Sequence, residues 1–156
     1  MKTIFMSQMA IAKKPENLRT ILGSCIGIVL FDKKTGLYGM SHIMLPEAHE
    51  KEPKVPGKYA DTALPALINM MQVDLDNAHQ LVAKIAGGAS MFGDVVVTSN
   101  LNIGENNIKK VKELLKELKI EIVNEDLGGE KGRQLIIDTE TDKIFVNQIG
   151  DNKKEL

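Results

Sequence analysis

The first half of the chain alternates between apolar and polar stretches in a way that predicts short strands. Residues 3–12 and 18–22 have extended patterns, the first ended by a lysine pair and a proline. Residues 25–31 and 37–44 are largely apolar and flank a polar loop, residues 32–36, that ends in glycine. Two apolar runs around such a loop predict a β-hairpin.

The second half predicts two helices among further strands. Apolar residues spaced at three and four predict one helix over residues 104–118 and another over 59–75, whose regular part is expected from Ala63 because of Pro65. Strands are predicted by shorter apolar runs, in order along the chain at residues 81–86, 95–97 (a strand or a loop), 120–123, 134–137 and 143–148.

Strands outnumber helices, and most neighbouring strands are joined by short turns. This arrangement favours an α+β domain, with helices packed against a sheet, over a regular βαβ alternation. No linker, repeat or low-complexity segment divides the chain, so residues 1–156 are expected to form a single domain. No glycine-rich phosphate loop is present, which gives nucleotide binding no support.

Composition and charge narrow the classes of function. The 156 residues are 43% hydrophobic and 26% charged with a net charge of −1, so nucleic acid and anionic membranes are disfavoured as partners. The single cysteine fits a reducing compartment. The amino terminus lacks a signal-peptide pattern, and the longest near-apolar run, residues 22–31, is too short for a membrane helix. We expect a cytoplasmic protein.

Cys25 is the residue with the most reactive chemistry in the sequence. Taken alone, a lone cysteine is more often a small buried core residue than a nucleophile. However, Gly23 and Ser24 directly precede it, which suits a tight turn, and the predicted hairpin returns His42 towards it. If Phe31 pairs with Gly36, Cys25 lies directly opposite His42; a shift of one residue places it opposite Ile43 instead.

A cysteine beside a histidine is suited to acyl transfer at an amide. The imidazole can take the thiol proton during attack and then protonate the leaving amine. A third group usually orients the histidine, and the hydroxyl of Thr20, five residues upstream of the cysteine, is a candidate. The alternative for Thr20, a β-branched residue in a strand, is equally compatible with the sequence.

Other candidate site residues have weaker support. Ser24 with the glycines Gly87 and Gly88 could bring polar groups near a substrate, although a simple turn explains the glycines equally well. Met91 and Phe92 follow that turn and could contact a partner protein, with core packing as the alternative. The histidines and the cysteine have no zinc spacing, so neither a metal nor a cofactor is predicted.

Several motifs in order along the chain resemble the chemoreceptor glutamine deamidase family, CheD. Two of them contain the cysteine and the histidine already considered. The matching stretches are residues 22–25 (LGSC), 41–46 (SHIMLP), 57–63 (GKYADTA), 83–92 (AKIAGGASMF), 102–104 with Asn107, and 125–133, which begins ED and ends GR. Together they span most of the sequence, although Leu127 stands where the family has threonine.

The resemblance implies a fold, a reaction and partners. The fold is a layered α/β/β sandwich like the catalytic domain of a deamidating bacterial toxin. By motif position Cys25 is the nucleophile, His42 the base and Thr20 the third member. The implied substrate is a glutamine on the helical cytoplasmic domain of a chemoreceptor, and the implied partner is a CheC-type phosphatase, for which Met91 and Phe92 are candidate contacts.

Two other functions are compatible with the same residues. The protein could act mainly as a non-catalytic regulator of that phosphatase. Because a thioester also accepts amines, an amidase or transglutaminase acting on another glutamine-bearing protein is the third possibility.

Overall fold

The structure is a computed structural model that describes residues 1–90 and 102–156. In these residues two five-stranded sheets are stacked, and two helices cover the outer face of one of them. The predicted α+β class and the layered α/β/β order are confirmed. No helix in the described part of the chain has the length and apolar character needed to cross a lipid bilayer.

Each sheet combines strands from distant parts of the chain. The first sheet, in spatial order, consists of β1 (Lys2–Thr3), β3 (Leu18–Leu22), β8 (Arg133–Asp138), β9 (Lys143–Gln148) and β10 (Lys154–Glu155). The second consists of β2 (Met9–Ala12), β5 (Leu37–Ile43), β4 (Ile26–Asp32), β6 (Leu81–Gly87) and β7 (Glu121–Leu127). Because β3 and β4 are consecutive, the turn between them carries the chain from one sheet to the other.

Two apolar clusters hold the three layers together. The first lies between the helices and the second sheet and includes Ile28, Leu64 and Val111. The second fills the space between the two sheets and includes Leu22, Met40 and Leu135. β4 contributes side chains to both clusters, because alternate residues of a strand point to opposite faces of its sheet.

The helices follow the predicted apolar periodicity with one difference in extent. Helix α2 (Ile103–Glu117) matches its prediction closely. Helix α1 (Ala60–Met70) begins before Ala63 and contains Pro65, so the expected later start was wrong. It also ends earlier than residue 75, because Gln72 adopts a left-handed conformation with φ 61°. Short 3-10 helices occupy residues 56–58 and 75–80.

The segment 3–12 is not one strand, as predicted, but two short strands in different sheets. A turn closed by the hydrogen bond from Gln8 N to Phe5 O (3.0 Å) separates them, and Ser7 has a left-handed φ of 70°. Each half retains an extended pattern, which is why the sequence predicts one continuous strand. The predicted strand or loop at 95–97 lies outside the described residues.

The β4–β5 hairpin forms, but its register differs from the predicted one by two residues. Asp32 pairs with Leu37 and Gly27 pairs with His42. The carbonyl of Asp32 accepts from Gly36 N (2.8 Å), and Gly36, at φ 74°, belongs to the loop instead of the ladder. The expectation that Cys25 lies directly opposite His42 was therefore wrong.

Candidate active site

Thr20 and His42 meet in the space between the two sheets. Thr20 lies on β3 of the first sheet and His42 on β5 of the second, and both side chains are buried. Their side chains form a hydrogen bond of 2.6 Å between Thr20 Oγ1 and His42 Nδ1. Residues 22 positions apart are thus brought into contact by the stacking of the sheets.

A second hydrogen bond fixes the direction of the first. Thr20 Oγ1 lies 2.8 Å from the carbonyl oxygen of Ile4, which can only accept. The hydroxyl has one proton, and when it is donated to Ile4 the oxygen must accept from Nδ1–H of His42. Nε2 of His42 then carries a lone pair and no proton.

The environment of His42 keeps the ring neutral. Burial lowers the pKa of His42 from its ordinary 6.5 to about 4, because the charged form loses solvation. Nε2 is itself buried and has no hydrogen-bond partner among the described residues. The site therefore contains a neutral imidazole whose free nitrogen can accept a proton.

Cys25 lies in the turn between β3 and β4, and that turn is held from three directions. The carbonyl oxygens of Gly23, Ser24 and Cys25 each accept a hydrogen bond. The donors are Ala89 N (3.0 Å), Asn107 Nδ2 (3.1 Å) and Gly88 N (2.9 Å), respectively. The backbone that carries the thiol is therefore held by α2 and by the two residues that directly follow β6.

The thiol of Cys25 is half-buried, which governs its protonation. Burial raises the pKa of Cys25 above the ordinary thiol value, and the residue's own backbone N–H offsets part of this effect. The side chain packs against the cluster between the sheets, where Thr20 and His42 also meet. The protonated thiol is consequently its resting form at neutral pH.

Cys25 lies one residue outside the β4–β5 ladder, in the position that continues the ladder diagonally to His42. Gly27 is the direct partner of His42, and Cys25 precedes Gly27 by two residues, just before β4 begins. Diagonal neighbours across an antiparallel pair have Cα atoms about 7–8 Å apart, with Cβ atoms somewhat closer. Gly27 has no side chain to separate them; a Cβ there would come within 2.7 Å of Leu135 Cδ2.

Asn107 links the cysteine turn to the histidine strand. This fully buried residue on α2 donates from Nδ2 to Ser24 O (3.1 Å) and to Met44 O (3.0 Å). Ser24 directly precedes Cys25, and Met44 follows His42 by two residues. One amide group therefore bridges both segments of the site.

A shallow pocket of about 230 Å³ opens beside His42. Its lining consists of Thr3, Ile4, Phe5, Met6, Ile21 and His42. Cys25 does not line it, so the pocket approaches the site from the side of the histidine. No three His, Cys, Asp or Glu side chains in residues 1–90 and 102–156 cluster in a way that could hold a metal ion.

Comparisons with known proteins agree with one another. The family model described as CheD chemotactic sensory transduction matches residues 44–148. The chain is 43% identical over 148 residues to the "Probable chemoreceptor glutamine deamidase CheD" of Clostridium botulinum, covering 94% of this chain and 91% of that protein. The chain belongs to the CheD family. A Methanococcus vannielii protein with the same printed name is 38% identical over 143 residues, 92% of each chain.

One solved structure shows a distant similarity to this CheD family member. The crystal structure of the Neisseria meningitidis protein NMB0706 aligns with a TM-score of 0.48 and 9% identity. It covers 83% of this chain and 63% of that one.

Ser24, Gly87 and Gly88 have structural contacts in this CheD family member. The carbonyl of Ser24 accepts from Asn107, and the amide of Gly88 donates to Cys25 O. Gly87 (φ 113°) lies so close that an added Cβ would be 2.2 Å from Cys25 O. The amide of Gly88 therefore supports the turn that carries Cys25, and a contact of Ser24, Gly87 or Gly88 with substrate stays a prediction.

The other predicted site residues differ in what can be said of them. Met91 and Phe92, the predicted partner contacts, lie outside the described residues. Leu127 ends β7, pairs with Gly87 and packs against the first apolar cluster. Its apolar side chain suits that position, where the resemblance led us to expect threonine.

Sequence reasoning assigned no role in the site to Asn107 or Arg133. Each occupies a buried position where its element otherwise has apolar residues. Asn107 shares the buried face of α2 with Val111 and Leu115, and Arg133 shares the buried face of β8 with Leu135. A polar side chain where the periodicity requires an apolar one was the available signal. Arg133 donates from Nη1 to Asp126 Oδ1 (2.5 Å) and from Nη2 to Gly128 O, bracing the loop beside Gly87.

Proposed function

We propose that this protein hydrolyses the carboxamide of glutamine side chains on a chemoreceptor, with Cys25 as nucleophile and His42 as base. The observation that carries the proposal is the hydrogen-bond chain from His42 Nδ1 through Thr20 to the Ile4 carbonyl, which leaves Nε2 free to take a proton. The substrate is suggested by the relatives, which are named as probable chemoreceptor glutamine deamidases.

The protonation states favour general-base catalysis over a preformed ion pair. Burial raises the pKa of the Cys25 thiol and lowers that of His42 to about 4, so both groups are neutral at pH 7. A neutral pair can react only if the proton moves as the sulfur attacks. His42 Nε2, the nitrogen without a hydrogen-bond partner, is the acceptor in this scheme.

In the first half-reaction the thiol proton passes to His42 Nε2 while Sγ bonds to the carboxamide carbon. The resulting oxyanion requires N–H donors, and the backbone amide of Cys25, which already interacts with its own sulfur, is the candidate. The imidazolium then gives its proton to the departing nitrogen. The C–N bond breaks, ammonia leaves and a thioester remains.

In the second half-reaction water replaces the thiol. His42 Nε2 takes a proton from the attacking water, whose oxygen bonds to the thioester carbon. The C–S bond breaks as the sulfur recovers a proton from the imidazolium. The product is glutamate, and each cycle adds one negative charge to the receptor.

The test is ammonia release from a purified receptor cytoplasmic domain. Cys25→Ala and His42→Ala are expected to abolish it, and the glutamine-to-glutamate mass gain of about one dalton per site is expected to disappear with it. His79→Ala, which alters an exposed histidine on the 3-10 helix at residues 75–80, is the matched control and is expected to keep full activity. Full ammonia release by folded Cys25→Ala would refute the proposal.

The same assay separates the two alternative functions. A non-catalytic regulator would give no ammonia release and no mass gain with the wild-type protein. A transglutaminase would incorporate an added primary amine into the receptor, because the thioester would be opened by the amine instead of water. We expect hydrolysis to dominate when both water and a millimolar amine are present.

We also propose that the protein binds a CheC-type phosphatase, as the family resemblance implies. Support comes from the sequence alone, in the apolar pair Met91 and Phe92 after the glycine turn. Phe92→Asp is expected to weaken the complex at least tenfold, about 1.4 kcal/mol. Undiminished affinity of this variant, measured by calorimetry, would exclude Phe92 from the contact.

A further inference from the structure

The pocket beside His42 forms where the chain leaves the first sheet. β1 pairs with β3 over two residues only, Lys2 with Leu18 and Thr3 with Arg19. One more backbone bond, from Ile4 N to Arg19 O (2.9 Å), follows, and the chain then turns away towards the second sheet. The separation of the two segments leaves a gap of about 230 Å³ with His42 in its lining.

Three large apolar side chains surround this gap on the protein surface. Phe5 is 65% exposed, Met6 58% and Ile21 63%. We call these three residues the docking rim. Scattered exposed apolar residues are ordinary, but three that share one pocket form a contiguous patch of the kind that contacts other molecules.

The docking rim is held in place by the site itself. The turn that carries Phe5 and Met6 is closed by Phe5 N to Gln8 Oε1 (2.8 Å) and tied to β5 by Ser7 N to His42 O (2.9 Å). Ile21 follows Thr20 on β3, and its exposed side chain lies on the opposite face of that strand at the rim of the pocket. The rim therefore has a fixed position relative to the histidine and its hydroxyl partner.

The docking rim lies beside His42, whose Nε2 is the proposed proton acceptor. His42 is 3% exposed and is one of the residues that line the pocket, and its buried Nε2 has no hydrogen-bond partner among the described residues. We propose that a receptor helix docks on Phe5, Met6 and Ile21 through apolar side chains flanking its target glutamine, which is thereby delivered to Cys25 and His42. This inference rests on the proposed function and extends it to how the substrate is chosen.

A helix suits this surface better than an extended peptide. Thr3 and Ile4 cover the edge of β3 as far as Arg19, which shortens the free edge to which a strand of substrate could add. A helix instead presents side chains three and four residues apart on one face, so apolar groups can flank a glutamine at the centre of the contact. Arg19, exposed and bonded to Thr3 Oγ1 (2.8 Å), adds a positive charge beside the pocket that favours an acidic helix.

The test replaces the rim with neutral polar residues, which introduce no charge near His42. Phe5→Gln, Ile21→Gln and the double variant are assayed for receptor deamidation and, separately, for alkylation of Cys25 by iodoacetamide. The KM for receptor is expected to rise about tenfold in each single variant, about 1.4 kcal/mol of lost binding, with a smaller change in kcat. The small alkylating reagent needs no docking surface, so its rate reports whether the site is intact.

Leu75→Gln is the matched control. Leu75 is 49% exposed and lies shortly before the start of β6. β6 starts where Leu81 pairs with Asp32, at the end of β4 that is remote from Cys25. This variant is expected to keep the wild-type KM.

Three outcomes would overturn the proposal. The first is a wild-type KM in the double variant. The second is an equal rise of KM in Leu75→Gln. The third is a parallel loss of alkylation and deamidation, which would mean that the rim shapes the site instead of binding substrate. If the wild-type protein releases no ammonia, the proposed function fails on its own; receptor binding by Cys25→Ala with and without Ile21→Gln then still tests the docking rim.

Discussion

The hydroxyl of Thr20 controls which nitrogen of His42 carries the proton. It connects the ring to the carbonyl of Ile4, a group that can only accept, and so places the proton on Nδ1. A hydroxyl at this position accepts from Nδ1 without adding a negative charge, so it leaves the histidine neutral. A carboxylate in that place would raise the pKa of the ring instead.

Thr20→Val tests this role with a side chain of similar shape. Without the hydroxyl, the proton on Nδ1 loses its acceptor and the productive tautomer is no longer enforced, so we expect kcat for deamidation to fall about 10- to 100-fold. Steady-state kinetics on the receptor domain is the measurement. Thr20→Ser, which keeps the hydroxyl, is the control and is expected to retain most of the activity. A wild-type kcat in Thr20→Val would show that the hydrogen bond does not serve catalysis.

The pH dependence of kcat/KM is predicted from the two shifted pKa values. His42 must be neutral to act as base, and its pKa of about 4 means that activity is expected to fall only as the pH drops towards 4. The thiol, whose pKa is raised, remains protonated to higher pH than an ordinary cysteine. A plateau of kcat/KM across neutral pH follows, measured with the receptor domain as substrate. An acidic limb near 6.5, the ordinary value for histidine, would contradict the buried neutral base.

At the scale of elements, the turn that carries Cys25 depends on α2 and on the two residues that directly follow β6. Gly88 and Ala89 donate to the turn from the backbone, and Asn107 donates from its side chain. Asn107 differs from the others because its second hydrogen bond reaches Met44, beyond the end of the histidine strand. Among the described residues, Asn107 is therefore the side chain that we identify as linking the Cys25 turn directly to the segment after His42.

Asn107→Ala is expected to reduce the reactivity of Cys25 as well as the stability. Loss of both hydrogen bonds removes a donor from two partly buried carbonyls, those of Ser24 and Met44, at a cost of up to roughly 1–3 kcal/mol each before relaxation. We expect the alkylation rate at Cys25 to change at least threefold at a temperature where the variant is fully folded. Asn17→Ala is the matched control: Asn17 Oδ1 accepts from Thr139 N (2.8 Å) and Thr139 Oγ1 (3.1 Å) at the far end of β3.

The control distinguishes positioning from support of the fold. Asn17→Ala is expected to lower the free energy of unfolding while leaving the alkylation rate unchanged. If Asn107→Ala behaves in the same way, Asn107 stabilises the domain without positioning the site.

At the scale of the whole molecule, the site exists only when the two sheets are stacked. Thr20 belongs to one sheet and His42 to the other, and the chain crosses between them in the turn that carries Cys25. Arg133 also joins the two sheets. Its backbone pairs with Leu22 in the first sheet, and its side chain bonds Asp126 near the end of β7 in the second. Its side chain is 1% exposed.

Arg133→Met is expected to destabilise the domain by about 3–5 kcal/mol, because Asp126 would be left buried with only Lys154 (3.0 Å) as its charged partner. Burial alone raises the pKa of Asp126, but Lys154 and Arg133 together bring it below the ordinary value. Denaturant unfolding followed by circular dichroism measures the change. Lys154→Met, which removes the exposed partner, is expected to cost under 1 kcal/mol. Similar losses in the two variants would refute the greater importance of the buried pair.

Much of the fold was predictable from local patterns. The period of apolar residues located α2, and the polar loop ending in Gly36 located the β4–β5 hairpin. The same patterns failed at residues 3–12, where an extended stretch belongs to two sheets, and at the hairpin register. Periodicity records which face of an element is buried, whereas register depends on the hydrogen bonds of one turn, here those of Asp32 and Gly36.

The sequence by itself determined that a cysteine and a histidine lie on neighbouring segments of one hairpin, because that proximity follows from the chain connection. Only the tertiary structure decided that Thr20 reaches His42, that Ile4 fixes the proton and that Asn107 ties the two segments together. Those contacts join residues from different sheets or from a helix and a turn. Their formation depends on how the layers stack, and no local pattern of apolar and polar residues encodes that geometry.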